Sequence, residues 1–227
     1  MAPSVAEKTA LKALTRVASA VVLAPLAIWA VFAGTPYFEV MVVAGGAVLI
    51  YEWSAMVGGR PSWLTLGVGY VGLACIAFMW LRGDTESGFL TVTWLFGAVW
   101  ATDIGAYVFG LSIGGPKLAP KISPKKTWAG LIGGMTCAAA CGAAIGYFLA
   151  AAPALWGWAA FSAFIGAVSQ GGDLFESWVK RRFGLKDSGA IIPGHGGLFD
   201  RVDGLLSAIL VTALINALLR SNVLLWL

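Results

Sequence analysis

The sequence predicts an all-α integral membrane protein: a polytopic bundle of about seven transmembrane helices with a polar site at their cytoplasmic ends. Three observations predict it. Hydrophobic residues fill 59% of the 227 positions and charged ones only 11%, where a soluble domain carries about 25% charged residues. The apolar residues gather into runs near the ~20 residues that cross hydrocarbon. The charge is gathered too. Between Gly172 and Gly204 stand five of the eleven acidic residues (Asp173, Glu176, Asp187, Asp200, Asp203), five of the fifteen basic ones (Lys180, Arg181, Arg182, Lys186, Arg201) and the only histidine, His195.

Taken in order, residues 1–15 are polar and weakly amphipathic, with Lys8 and Lys12 on a short interfacial segment. The apolar run 17–33 outlasts a signal-peptide core of about 7–15 residues and lacks a clear small-residue cleavage site, so it reads as the first span. Further spans are expected at 37–56, 62–81, 89–109, 128–150, 154–170 and 205–219. No internal repeat and no separate soluble domain is visible. Residues 1–227 read as one polytopic membrane domain: N-terminal spans to 99, a catalytic region over 100–204 with two polar loops, and the last span in 205–227. Cys75, Cys137 and Cys141 lie in apolar runs without metal-ligand spacing and read as small core residues.

Lysine and arginine orient the bundle. With the N-terminus in the cytoplasm and seven spans, the cytoplasmic segments hold thirteen of them: Lys8, Lys12, Arg16, Arg60, Lys117, Lys121, Lys125, Lys126, Lys180, Arg181, Arg182, Lys186 and Arg201. Only Arg82 and Arg220 fall on the other side. That split obeys the positive-inside rule. It leads us to expect a multi-pass protein of the inner (plasma) membrane, with its N-terminus and both polar loops, 111–127 and 171–204, in the cytoplasm.

The first polar loop carries Lys117, Lys121, Lys125 and Lys126 with the hydroxyls of Ser123 and Thr127. Both hydroxyls precede a span, where a cap belongs and where free N–H groups favour a phosphate. The loop reads equally as a topology signal or as an anion site stiffened by its prolines. Gly130, Gly133 and Gly134, at the start of the next span, fit either a phosphate-binding helix start or close packing. Asp103 lies inside the fourth span, and an ionisable residue there is a functional candidate by default. Tyr107 is one turn further on, facing the same way. Glu39 belongs near the outer edge of the second span. Glu52 belongs near its inner edge, as either a structural group or a support for the site.

In the second polar stretch Asp173 and Glu176 are three residues apart, as are Asp200 and Asp203, so on a helix each pair shares a face. If the two span ends adjoin, four carboxylates converge and need a cation. Oxygen-only ligands suit Mg²⁺ rather than zinc. Lys180, Arg181, Lys186 and Arg201 would then hold the phosphates that share the metal, the arrangement phosphoryl and nucleotidyl transfer requires. The segment Pro193-Gly194-His195-Gly196-Gly197 is a candidate anion nest. His195 either donates to a phosphate or hydrogen-bonds within the loop.

These residues resemble a known family. The run Ser177-x2-Lys180-Arg181-x4-Lys186-Asp187-x-Gly189-x3-Pro193-x-His195-Gly196-Gly197-x2-Asp200-Arg201-x-Asp203 is similar to the signature of the phosphatidate cytidylyltransferases, or CDP-diacylglycerol synthases. So are Gly172-Asp173-Leu174-x-Glu176-Ser177, the Ile122-Ser-Pro-Lys-Lys-Thr-Trp128 loop and Asp103-x-Gly105-Ala106-Tyr107. The likeness is dense over 100–204; before that it rests on hydropathy and on Tyr51-Glu52-Trp53. It implies a membrane enzyme that joins CTP to phosphatidic acid at the lipid bilayer, giving CDP-diacylglycerol and pyrophosphate. It further implies Mg²⁺ on Asp173 and Asp200, room for a second cation such as K⁺, and a homodimer as one assembly.

On that reading Asp173, Asp200, Lys186 and Arg201 are the catalytic candidates. Ser123, Lys125, Lys126, Thr127, Ser177, Lys180, Arg181, His195 and Asp103 are expected to bind substrate, and Asp173, Asp200, Asp203 and Glu176 to bind metal. The phosphate of phosphatidic acid is already an anionic nucleophile, so the barrier lies in joining two anions and stabilising the departing pyrophosphate. A transporter would keep its site at the midplane, often in repeated halves, whereas here the charge sits at one face. The CDP-alcohol phosphotransferases carry Asp-Gly-x2-Ala-Arg, but Asp203-Gly204 is followed by Leu205-Leu206-Ser207. No nucleic-acid partner is expected.

Overall fold

The computed structural model describes residues 21, 25–150, 155–192, 194 and 196–227. The interfacial segment expected at 1–15, the start of the first span, Pro193 and His195 lie outside the described residues. Seven helices run through the described part. The first, α1, covers 25–33. The others are α2 (Tyr37–Met56), α3 (Pro61–Gly83), α4 (Gly88–Ser112), α5 (Trp128–Phe148), α6 (Leu155–Arg182) and α7 (Phe199–Leu219). Among the described residues α2, α3, α4, α5 and α7 are long and apolar enough to cross a membrane. The expected bundle of about seven helices is borne out.

Two boundaries and one loop differ from expectation. Hydropathy ends the sixth span at 170, but α6 runs on to Arg182. Nothing between breaks a helix, and charged residues lower hydropathy without lowering helix propensity. What stops α6 is Gly184, whose φ of 72° only glycine adopts freely. The Leu185 N–H bonds Lys180 O at 2.8 Å and the Gly184 N–H bonds Arg181 O at 3.2 Å, the paired closure that ends helices at a left-handed glycine. Likewise α7 begins at Phe199, six residues before the apolar run, so Asp200 and Asp203 stand in its first turns. The lysine loop is a hairpin: β1 (Lys117–Ala119) pairs antiparallel with β2 (Ser123–Thr127).

Small residues bring the helices together. In lipid, water does not drive helices together, so close backbone contact does much of the work. A Cβ added to Gly134 of α5 would stand 2.8 Å from Thr102 O of α4, and one on Gly142 2.8 Å from Trp158 O of α6. A Cβ on Gly172 of α6 would meet Asp203 O of α7 at 2.8 Å. Helices α4 to α7 therefore form one tight bundle in which α4 also meets α6 and α7, with α3 packed against α7 and α4, and α2 against α3. An aromatic group near the site seals that side: Trp53 is fully buried against Phe175 and Phe199 and donates its indole N–H to Trp63 O at 2.7 Å.

A polar knot closes the end of the bundle away from the charged residues. Asn222 donates to Ser87 Oγ and Thr91 Oγ1, both at 2.8 Å, and Asp84 accepts from Ser87 Oγ at 2.9 Å. Burial pushes the Asp84 carboxyl up. The Ser87 hydroxyl, the N–H groups of Glu86 and Ser87 and the Asn222 amide outweigh burial and hold it below the usual carboxylate range.

Candidate active site

The hairpin delivers one lysine inward. Residues alternate across a strand, so Lys125 is exposed while Lys126 turns toward α6. Its Nζ lies 2.7 Å from Asp173 Oδ2 and donates to Gln170 Oε1 at 2.9 Å. The same Gln170 gives its amide N–H to Asp103 Oδ1 of α4 at 3.3 Å. Ser177 donates to Asp173 Oδ1 at 3.3 Å. Thus α4, β2 and α6 are tied together through one ammonium group and one amide. Thr127 caps α5, accepting from the Gly130 N–H at 3.0 Å. Ser123 does not: it opens β2, too far back to reach the helix start.

A second lysine joins α6 to α7. Lys180 is 8% exposed, and its Nζ reaches Glu176 Oε2 at 2.8 Å and Asp200 Oδ1 at 2.6 Å. Asp200 Oδ2 accepts the N–H groups of Ser188 and Gly197, each at 3.1 Å. Charge-assisted bonds of this kind are about twice as strong as neutral ones, so Asp200 fixes the loop between α6 and α7. The turn 192–196 closes on itself through mutual bonds of Ile192 and Gly196, with Gly196 at φ 90°. Within the segment expected to form an anion nest, the Gly196 and Gly197 N–H groups already serve Ile192 O and Asp200.

The other predicted residues surround these two centres. Asp203 accepts from the Gly204 N–H at 2.7 Å and stands within electrostatic reach of Asp173 and Glu176. Arg181 spends its guanidinium on Ile122 O at 3.3 Å and Leu185 O at 2.8 Å, lashing the hairpin to the end of α6. Lys125, Lys186 and Arg201 are exposed on the same end of the bundle. Tyr107, one turn on from Asp103, is 71% exposed.

Two further side chains tie this end of the bundle together. Gln170 is the hinge of the Asp103–Lys126–Asp173 chain, and a signal for it was present: Gln170, Asp173, Ser177 and Lys180 recur at helical spacing on one stripe of α6. Glu52, which the sequence allows as a structural group or as a support for the site, is the second. It is 1% exposed and accepts the Leu198 and Phe199 N–H groups at 2.9 and 2.8 Å. No local pattern marks that pairing, because the partners lie about 146 positions apart.

The donor set fits a hard cation in kind. It is made of carboxylate oxygens, it already holds two ammonium groups, and Glu176 Oε1 is buried without a hydrogen-bond partner. It is not a finished cage. Among the described residues no three His, Cys, Asp or Glu side chains stand close enough together to hold a metal ion; Asp173 and Asp200 are paired instead with Lys126 and Lys180.

The chain is similar to known proteins over the residues that build this end of the bundle. The profile of the cytidylyltransferase family matches residues 60–219, which takes in both lysine centres. A phosphatidate cytidylyltransferase of Brucella suis biovar 1 (strain 1330) is 36% identical over 252 aligned positions, covering 90% of this chain and 93% of that protein. A phosphatidate cytidylyltransferase of Brucella melitensis biotype 1 matches equally, with 36% identity. One from Staphylococcus saprophyticus is 42% identical over 154 positions, which are 68% of this chain and 57% of that protein. Matched over α3 to α7 and by relatives across nine-tenths of its length, the chain belongs to the cytidylyltransferase family and is a nucleotidyltransferase.

Proposed function

We propose that this enzyme joins CTP to phosphatidic acid, forming CDP-diacylglycerol and pyrophosphate. The observation that carries the reading is the meeting of the two polar stretches: Lys126 of the hairpin lies on Asp173 of α6, at one end of a bundle whose other surfaces suit lipid. An enzyme that couples a water-soluble nucleotide to a lipid needs its charge there, with the acyl chains left in the bilayer.

The reaction follows from charge. A phosphatidate oxygen attacks the α-phosphorus of CTP, one P–O bond forms, and the bond to the bridging oxygen breaks as pyrophosphate leaves. No proton moves, so no general base is required. Lys126, with the exposed Lys125, Lys186 and Arg201 around it, neutralises the triphosphate and the attacking phosphate. Lys180 holds Glu176 and Asp200 together and so keeps α6 and α7 in register beneath the substrates. Mg²⁺, with or without a second cation such as K⁺, would be held by one or two of the carboxylates of Asp173, Asp203, Glu176 and Asp200 together with the nucleotide phosphates, and would supply further neutralisation of the nucleotide. The charged end faces the cytoplasm of the inner membrane in this reading, as the lysine and arginine split requires.

The test is direct. Purified protein in detergent, given labelled CTP and phosphatidate, is expected to make a lipid-soluble cytidine product with Mg²⁺ and to stop when a chelator removes it. No organic-phase label with both substrates and Mg²⁺ present would overturn the reading.

A further inference from the structure

We infer that Glu52 is a positioning residue for nucleotide binding: from a helix outside the charged stretch, its buried carboxylate holds the start of α7, where Asp200 stands, and the loop end that leads into it. The inference rests on the cytidylyl-transfer reading for its kinetic consequence, though not for its geometry.

The argument begins with a helix that has no cap of its own. The first N–H groups of any helix lack intrahelical partners, and Leu198 at the N-cap of α7 offers no side-chain acceptor. Glu52, at the cytoplasmic-end turn of α2, fills the gap. Its two oxygens take the Leu198 and Phe199 N–H groups at 2.9 and 2.8 Å. A carboxylate there also gains from the positive end of the helix dipole.

What makes this more than a cap is the residue before. Three successive N–H groups, those of Gly197, Leu198 and Phe199, are divided between two carboxylates: the first goes to Asp200 and the next two to Glu52. The far end of the loop repeats the pattern. Ser188 gives its N–H to Asp200, and a Cβ on its neighbour Gly189 would lie 2.8 Å from Glu52 Oε1. At the near end a Cβ on Gly197 would run into Ser188 Oγ and lie 2.9 Å from Glu52 Oε2. Both ends of the loop are therefore clamped between Asp200 and Glu52, with glycine at each point where a side chain would push the clamp open. Because Asp200 in turn anchors Lys180, the placement of the acidic centre depends on a carboxylate contributed by α2.

Replacing Glu52 by glutamine keeps the size and removes the charge, and it leaves one of the two N–H groups facing an NH₂. The full-length chain carrying Ser188→Cys provides a probe, since the Ser188 side chain is buried and its hydroxyl has no hydrogen-bond partner. In Glu52→Gln we expect thiol labelling at position 188 to rise about tenfold and the CTP KM per folded enzyme to rise by a similar factor, with the phosphatidate KM nearly unchanged. A residue that served only general stability would lower the active fraction and the maximal rate, and leave KM and labelling where they were. Unchanged labelling together with an unchanged CTP KM overturns the inference. Should Glu52→Gln fail to fold, Gly189→Ala asks the same question without touching α2, since the three nearest atoms to a Cβ there all belong to Glu52, and wild-type labelling and KM in that variant also overturn it. If the unmodified chain makes no cytidine lipid, the cytidylyl reading falls, while the labelling arm still decides whether Glu52 holds the loop.

Discussion

Neighbouring lysines in β2 meet different fates, and the difference separates a topology signal from a binding group. Lys125 is exposed, whereas Lys126 is fixed by Asp173 and Gln170. If basic charge alone mattered, the two would be interchangeable. Since Lys126 is held in place, Lys126→Ala is expected to raise the CTP KM about tenfold to a hundredfold, the cost of roughly 1.5–3 kcal/mol for a charge-assisted contact. Lys125→Ala, losing only a screened surface charge, is expected to change it several-fold less. Steady-state kinetics on both variants, with insertion checked by yield of detergent-purified protein, decides the matter. Equal effects from the two lysines would return the hairpin to a positive-inside signal. Lys126→Arg is also expected to impair CTP binding, because a planar guanidinium does not replace a compact ammonium between a carboxylate and an amide.

Among the elements, α6 carries the site, and its fit against α7 is set by one of two adjacent glycines. A Cβ on Gly172 would meet Ser207 Oγ at 2.5 Å and Asp203 O at 2.8 Å, while one on Gly171 meets nothing within 4 Å. Overpacking a close backbone contact costs about 1–3 kcal/mol. Gly172→Ala is therefore expected to lower the thermal midpoint in detergent and to separate Asp203 from Glu176. Gly171→Ala leaves the midpoint at or slightly above wild type, since alanine suits a helix better than glycine. A midpoint for Gly172→Ala equal to that of Gly171→Ala would mean the helices do not cross there. How much of this was legible in the sequence depends on what hydropathy can report. It finds the edges of α2 and α5 almost to the residue, because lipid contact and apolarity coincide there. It fails at the second half of α6 and the first turns of α7, where the helices face each other and the hairpin. Asp173, Glu176, Lys180, Asp200 and Asp203 were all legible as a charged group, from spacing and residue type. The Glu176–Lys180 pair follows from its i,i+4 spacing, but that Lys180 would also reach Asp200, and that Glu52 would cap α7, depends on contacts across the chain that no local pattern encodes.

For the whole molecule, the two ends are chemically distinct, and the structure fixes which segments share an end. Arg181 donates to Ile122 O, so the tip of the hairpin and the end of α6 lie together. The α3–α4 turn lies at the other end, where Asp84, Ser87 and Thr91 meet Asn222 beyond α7. Arg82 belongs to that end too and donates to Val31 O at 2.9 and 3.2 Å, which leaves its charge spent on a backbone carbonyl. The hairpin end instead gathers Lys117, Lys121, Lys125, Lys126, Lys180, Arg181, Arg182, Lys186 and Arg201. Positive residues stay on the cytoplasmic side during insertion. Single cysteines at Lys121 and at Arg182 are therefore expected to react with a membrane-impermeant thiol reagent only in inverted vesicles, and a cysteine at Glu86 only in intact cells. Labelling 121 and 182 from opposite sides would break the union of hairpin and α6 on which the Lys126–Asp173 contact depends. Labelling both from outside would keep the site intact but turn it away from the cytoplasmic pool of CTP.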